Sequence, residues 1–201
     1  MIRYFDLGVH KGEQIDLMLK VLPEFGEFEI HGIEACKEFY NKAKEKYKKY
    51  NNIHFYDFAI NDYDGICKLY YAATPDGHSI YNTKNDVSDL CETVESIKFS
   101  TWIKQISNLD KTFNIMKYNI EGAELDLFKD MDENNMFKNF DVIIGGFGLN
   151  DILKCEEIKD KIDVFYDICD KNNIQKEHGI DWDLHIDTVL NELREMIKRK
   201  I

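Results

Sequence analysis

Two glycines stand four residues apart, directly after a short β-prone run that ends in an acid. Gly8 and Gly12 follow Asp6, and a helical pattern begins at Glu13. Glycine has no Cβ, so such a loop can turn sharply and come close to a bound ligand. In parallel α/β folds, ligands bind outside the carboxyl ends of the strands. We therefore predict that this loop binds a nucleoside and its amino-acid tail through Asp6, Gly8, Val9, His10 and Gly12.

Acidic residues also end the next two predicted strands. Glu34 ends the second strand, and its carboxylate can accept hydrogen bonds from both hydroxyls of a ribose. Asp57 ends the third strand, where it can accept a hydrogen bond from the exocyclic amine of a base. Phe58 and Ala59 follow and can pack on the ring of the base. Glu34, Asp57, Phe58 and Ala59 complete the predicted cofactor site.

The glycine loop favours S-adenosylmethionine over NAD. The dinucleotide fingerprint G-x-G-x-x-G is absent, because His10 stands where its second glycine would be. Asp6 would repel a pyrophosphate but suits the ammonium group of an amino acid. A Tyr-x-x-x-Lys pair at Tyr40 and Lys44, of the kind that reductases use, lies in a lysine-rich helix where such pairs arise by chance. An NAD-linked reductase is therefore the weakest alternative.

The elements that position these residues alternate along the chain. Apolar runs predict strands over 3–7, 28–34, 53–58, 93–99, 114–118 and 141–144, and helical spacing predicts helices over 13–22, 37–50, 102–106 and 121–128. The segment 72–89 is predicted to be a long loop, with a turn before it at 61–65. Strand–helix alternation is typical of parallel sheets with crossover helices. We expect one α/β domain over 1–201, Rossmann-like, with a mostly parallel sheet flanked by helices.

Composition limits the partners and the compartment. The chain of 201 residues has a net charge of −12, which argues against nucleic acid or an anionic membrane as a main partner. No apolar run approaches the ~18 residues of a membrane helix, and the first six residues lack the features of a signal peptide. Five dispersed cysteines without a C-x-x-C pair predict a reducing cytoplasm and no structural zinc.

Four segments together resemble the FkbM-family methyltransferases. They are Asp6-Leu7-Gly8-Val9-His10-Lys11-Gly12, Gly32-Ile33-Glu34, Ala59-Ile60-Asn61-Asp62 and Lys117-Tyr118-Asn119-Ile120-Glu121-Gly122-Ala123-Glu124, of which the last is the most specific. The resemblance implies a class I S-adenosylmethionine-dependent enzyme, most often an O-methyltransferase acting on sugars and secondary metabolites. The chain departs from the usual family sequence at two positions. Asn119 stands where an aspartate is usual, and His10 where an asparagine is common.

The predicted reaction is methyl transfer to a hydroxyl of a small-molecule or glycan acceptor. An alcohol needs a base, and the candidates are Glu121, Glu124 and His10 in that order, with Asn119 beside them. Glu121 and Glu124 could instead be acids of a first helical turn, and Asn119 could cap that helix. Because an amide accepts no proton at neutral pH, the main alternative is a non-catalytic subunit that binds S-adenosylmethionine.

Two weaker candidates lie outside this set. His78 falls in the long loop and could contact the acceptor. Asp181, Asp183, His185 and Asp187 would share one face of an extended segment, which is the ligand chemistry of a divalent cation. We favour a solvated strand or helix start there and predict no metal.

Overall fold

A five-stranded parallel sheet forms the centre of the fold. The computed structural model describes residues 1–74, 77–84, 86–145, 159–174 and 185–201, with only the backbone of 159 and 160. The five strands are β1 (Ile2–Leu7), β2 (Phe28–Ile33), β3 (Ile53–Tyr56), β7 (Phe113–Tyr118) and β8 (Val142–Gly145). They lie in the order β3-β2-β1-β7-β8. The Rossmann-like α/β fold predicted from the sequence is confirmed.

Helices cover both faces of this sheet. They are α1 (Glu13–Val21), α2 (Lys37–Lys46), α3 (Phe99–Ile103), α4 (Glu124–Glu133), α5 (Lys159–Lys171) and α6 (Ile186–Lys200). Alternate residues of β1 enter two separate cores: Phe5 packs with residues of α3, α4 and α5, whereas Tyr4 packs with residues of α1, α2 and α6. Burial on both faces explains why these strands read as short apolar runs.

A second, three-stranded sheet was not predicted. It consists of β4 (Ala59–Ile60), β5 (Gly65–Ala72) and β6 (Val87–Ile97), in the order β4-β6-β5, with β5 and β6 antiparallel. The predicted loop over 72–89 is correspondingly shorter, because β5 continues to Ala72 and β6 begins at Val87. Exposed polar residues such as Ser88 and Asp89 mask the strand pattern of β6.

Helix α4 begins later than predicted. Glu121 and Gly122 have φ values of 54° and 113°, which no α-helix accommodates. The helix therefore starts at Glu124 rather than at Glu121. Similarly, α2 ends at Lys46 instead of residue 50, and the short helix predicted over 102–106 lies at Phe99–Ile103. Among the described residues, no helix has the length and apolar character needed to cross a membrane.

Candidate functional site

A cavity of about 390 Å³ opens at the carboxyl ends of β1, β2 and β7. Its volume falls within the ~300–1,000 Å³ that small-molecule sites occupy. Of the residues predicted from the sequence to bind or react, the structure brings the following to its wall: Gly8, His10, Glu34, Phe58, Ala59, Asn119 and Glu121. The sheet edge thus gathers side chains from four separate stretches of the chain.

Gly8 lies where the loops after β1 and β7 touch. Its φ is +88°, and a Cβ there would lie only 2.0 Å from the carbonyl oxygen of Asn119. The two loops are also joined by a hydrogen bond of 3.0 Å from the Asn119 backbone N–H to the Leu7 carbonyl. Only glycine fits this position without moving Asn119, so Gly8 sets the shape of the cavity floor.

Glu34 is a buried acid on the cavity wall, 8% exposed. Its Oε2 accepts a hydrogen bond from the His10 backbone N–H at 2.7 Å, and its Oε1 accepts one from the Cys36 backbone N–H at 2.8 Å. Burial raises the pKa of Glu34, while these two donors oppose the shift. Each carboxylate oxygen has a second lone pair, so the group can still accept two ligand hydroxyls.

Asp6 does not line the cavity, although the sequence suggested it as a partner for a ligand ammonium. It is fully buried, and its Oδ1 lies 3.0 Å from the Nζ of Lys117. Lys117 also donates a hydrogen bond of 2.8 Å to the Gly8 carbonyl and lines the cavity itself. Burial raises the pKa of Asp6, and the Lys117 ammonium opposes this. The cation beside Asp6 is therefore a side chain of the protein.

Three further residues of the predicted cofactor site lie off the cavity wall. Val9 packs against Gly32, since a Cβ added to Gly32 would lie 2.7 Å from the Cγ2 of Val9. Gly12 lies against Tyr47, whose hydroxyl donates a hydrogen bond of 2.7 Å to the Gly12 carbonyl. Asp57 forms an ion pair with Lys37 at the surface. In this structure their contacts support the loop and strand ends, whereas Phe58 and Ala59 face the cavity.

Glu124 anchors the loop before α4. Its Oε1 accepts from the Ile120 backbone N–H at 2.7 Å and its Oε2 from the Gly122 backbone N–H at 2.6 Å. The side chain is 1% exposed, and burial raises its pKa to about 7. Asn119 is not the cap of this helix, because the capping position is Ala123. The cap interpretation of Asn119 was therefore wrong.

Glu121 reaches the cavity from this loop. Its Oε2 lies 3.1 Å from the Nζ of Lys84, and its carbonyl accepts a hydrogen bond of 2.7 Å from the Ser79 hydroxyl. Lys84 and Lys117 were both missed as site residues in the sequence. A buried lysine in a mostly apolar strand was an available signal for Lys117, whereas nothing local marked Lys84.

Two histidines flank one phenylalanine on the cavity wall. The ring of Phe39 lies edge-on to His10, with centroids 4.4 Å apart, and stacks on His78 at 5.6 Å. His78 Nδ1 accepts a hydrogen bond of 3.1 Å from the Ala72 backbone N–H, which requires that nitrogen to be unprotonated. Burial lowers the pKa of His78. The sequence hypothesis that His78 contacts a ligand stays a prediction, and His78 does line the cavity.

The weak metal candidate at Asp181, Asp183, His185 and Asp187 lies partly outside the described residues. Asp181 and Asp183 lie outside them, and His185 is an exposed residue that caps α6 by accepting a hydrogen bond from the Asp187 backbone N–H. Within the part of the chain that the structure describes, no group of three or more potential metal ligands occurs.

Residues 6–179 match the methyltransferase FkbM domain. The chain belongs to the FkbM methyltransferase family. The match includes all the strand ends that build the cavity, and it favours a methyltransferase over the reductase alternative. No curated protein matches the chain significantly.

Proposed function

We propose that this FkbM-family protein uses S-adenosylmethionine to methylate a hydroxyl group of a sugar or glycan. The observation that carries the proposal is the placement of Glu34: a buried carboxylate on the cavity wall, held by two backbone N–H groups, with lone pairs left for two hydroxyls. A ribose presents such a pair of hydroxyls.

The remaining cavity wall fits the other parts of this cofactor. Phe58, Ala59 and Ile60 form an apolar surface suited to an adenine ring. Gly8 leaves the floor free of a side chain. Lys117 and Glu121 supply polar groups at the end formed by β7. When bound, S-adenosylmethionine supplies a methyl group already activated by its sulfonium.

The protein's part in the reaction is alignment and proton removal. Glu121 lines the cavity and is the acid best placed to accept the proton of an acceptor hydroxyl. Glu124 is occupied by the loop that carries Glu121, so we assign it a positioning role. Asn119 can orient the acceptor by hydrogen bonding but takes no proton. The rings of His10, Phe39 and His78 pack together on the cavity wall and help to exclude water.

Methyl transfer from isotope-labelled S-adenosylmethionine to a panel of mono- and oligosaccharides, detected by mass spectrometry, tests the proposal. We expect one acceptor class to gain a methyl group. Glu121→Gln should lower turnover by about 10²–10⁴-fold, the range for a positioned base, and leave affinity for S-adenosylhomocysteine intact. Glu133→Gln, on the exposed end of α4, is the matched control. Binding without turnover on any acceptor would instead support the non-catalytic alternative.

A further inference from the structure

Lys84 is a buried cation that forms an ion pair with Glu121. Its side chain is 2% exposed, and its Nζ lies 3.1 Å from Glu121 Oε2. The same ammonium donates hydrogen bonds of 2.7 Å to Asp86 Oδ1 and 2.9 Å to the Gly77 carbonyl. All of these partners except Glu121 belong to the segment between β5 and β6. This segment therefore contributes a fixed positive charge to the site.

A lysine buried this deeply is costly unless it is paired, and here it has two carboxylates. Asp86 is the second partner, with its Oδ1 2.7 Å from the ammonium. Burial alone would lower the pKa of Lys84, but Asp86 and Glu121 raise it above its usual value. The ammonium therefore stays charged. Glu121 can thus gain a proton without leaving a buried ammonium unpaired.

Gly77 makes room for this arrangement. A Cβ at position 77 would lie 2.6 Å from Asp86 Oδ2 and 2.8 Å from Lys84 Nζ. Ser79, from the same segment, holds the Glu121 carbonyl at 2.7 Å. Both the main chain and the side chain of Glu121 are therefore held from across the site. These contacts offset the cost of its left-handed φ of 54°.

We propose that Lys84 is a positioning residue for Glu121: with Gly77 and Asp86 it aims the Glu121 carboxylate at the cavity and keeps it ionised until an acceptor hydroxyl arrives. This inference rests on the proposed function, because it gives Glu121 the proton. Two neighbouring charges act on Glu121 in opposite senses. Lys84 favours its ionised form, and Glu124, which interacts with it electrostatically from the start of α4, disfavours it.

The first test needs no acceptor. In the full chain without ligand, labelled at the glutamate side-chain carboxyl with ¹³C, the Glu121 signal is assigned with Glu121→Gln and titrated by NMR. Lys84→Met should raise the titration midpoint of Glu121 by about one pH unit or more, the usual effect of losing an adjacent opposite charge. Lys84→Arg should restore it. Lys161→Met, which removes the ion pair to Asp126 instead, is the matched control and should leave it unchanged.

Lys84→Gln removes the charge but keeps a group that can donate hydrogen bonds to Asp86 and the Gly77 carbonyl, so it should shift the Glu121 midpoint in the same direction if Lys84→Met fails to fold. An unchanged midpoint in Lys84→Met, or in Lys84→Gln if that is the only folded variant, overturns the inference. Once an acceptor is known, the acid limb of the kcat profile should move upward with the midpoint, while the KM for S-adenosylmethionine stays constant. If Lys84→Met shifts the Glu121 midpoint but the wild-type protein methylates no acceptor, the proposed function is refuted. The inference that Lys84 holds Glu121 ionised would still stand.

Discussion

Removing the carboxylate of Glu34 should lower both the free energy of unfolding and the affinity for the cofactor. Glu34→Ala should have a larger effect than Glu34→Gln. Glu34→Ala leaves the backbone N–H groups of His10 and Cys36 without their acceptor. Each unsatisfied buried donor costs about 1–3 kcal/mol, so the free energy of unfolding should fall by about 2–6 kcal/mol. Glu34→Gln keeps one acceptor oxygen and should lose about half as much.

Affinity for S-adenosylhomocysteine should follow the same order. Hydrogen bonds to a charged acceptor contribute about 1.5–3 kcal/mol, and 1.4 kcal/mol corresponds to a tenfold change in Kd. We therefore expect Glu34→Ala to weaken binding at least about tenfold. Glu34→Gln, which has lost the charge, should fall between Glu34→Ala and the wild type.

Urea denaturation gives the unfolding free energies, and isothermal titration calorimetry with S-adenosylhomocysteine gives the affinities. Glu29→Gln is the control, because Glu29 lies at the other end of β2, where it accepts a hydrogen bond from Arg3 Nε at 2.9 Å. This control should leave the Kd unchanged. Wild-type affinity in folded Glu34→Ala would show that Glu34 only supports the loop after β1, and the ribose assignment would fail.

Three more changes follow from the structure. Gly8→Ala should displace Asn119 and weaken S-adenosylhomocysteine binding at least about tenfold, whereas Gly26→Ala, also at positive φ but with nothing within 4 Å of its Cβ, should lower only the stability. Burial raises the pKa of Glu124 from 4.5 to about 7, so the folded state binds more protons in that window and stability should fall as pH rises through it, by about 3 kcal/mol at most. Glu124→Gln should flatten that slope in urea unfolding measured across pH. Burial and His54 lower the pKa of His31 from 6.5 to about 4, so stability should fall as pH drops through that window, and His31→Phe should remove this loss in the same measurement.

The parallel sheet could be predicted because its strands are buried on both faces. The Tyr4-Phe5 pair of β1, for example, is fully buried and therefore stands out against polar loops. The β5–β6 hairpin could be predicted only in part, as the strand over 93–99, because one of its faces is exposed. Polar residues such as Asp89 and Glu95 occupy that face and resemble loop composition. The prediction therefore succeeded where burial was complete and failed where it was partial.

The candidate site divides in a similar way. Gly8, Glu34 and Glu121 could be found because their residue types at strand ends mark a ligand-binding edge. The ion pairs of Lys117 with Asp6 and of Lys84 with Glu121 could not, because they join residues far apart in the chain. Charge pairing across a fold depends on three-dimensional proximity, and sequence spacing carries no record of it.

The central claim is that the cavity at the ends of β1, β2 and β7 binds S-adenosylmethionine. Thermal unfolding of the wild-type chain with S-adenosylhomocysteine, and separately with NADH, tests it most directly. At 100 times its Kd, S-adenosylhomocysteine should add about 2.7 kcal/mol of stability, which is a rise of about 5–11 °C in Tm for a chain of this size. NADH should leave the Tm unchanged. A rise with NADH and none with S-adenosylhomocysteine would contradict the claim.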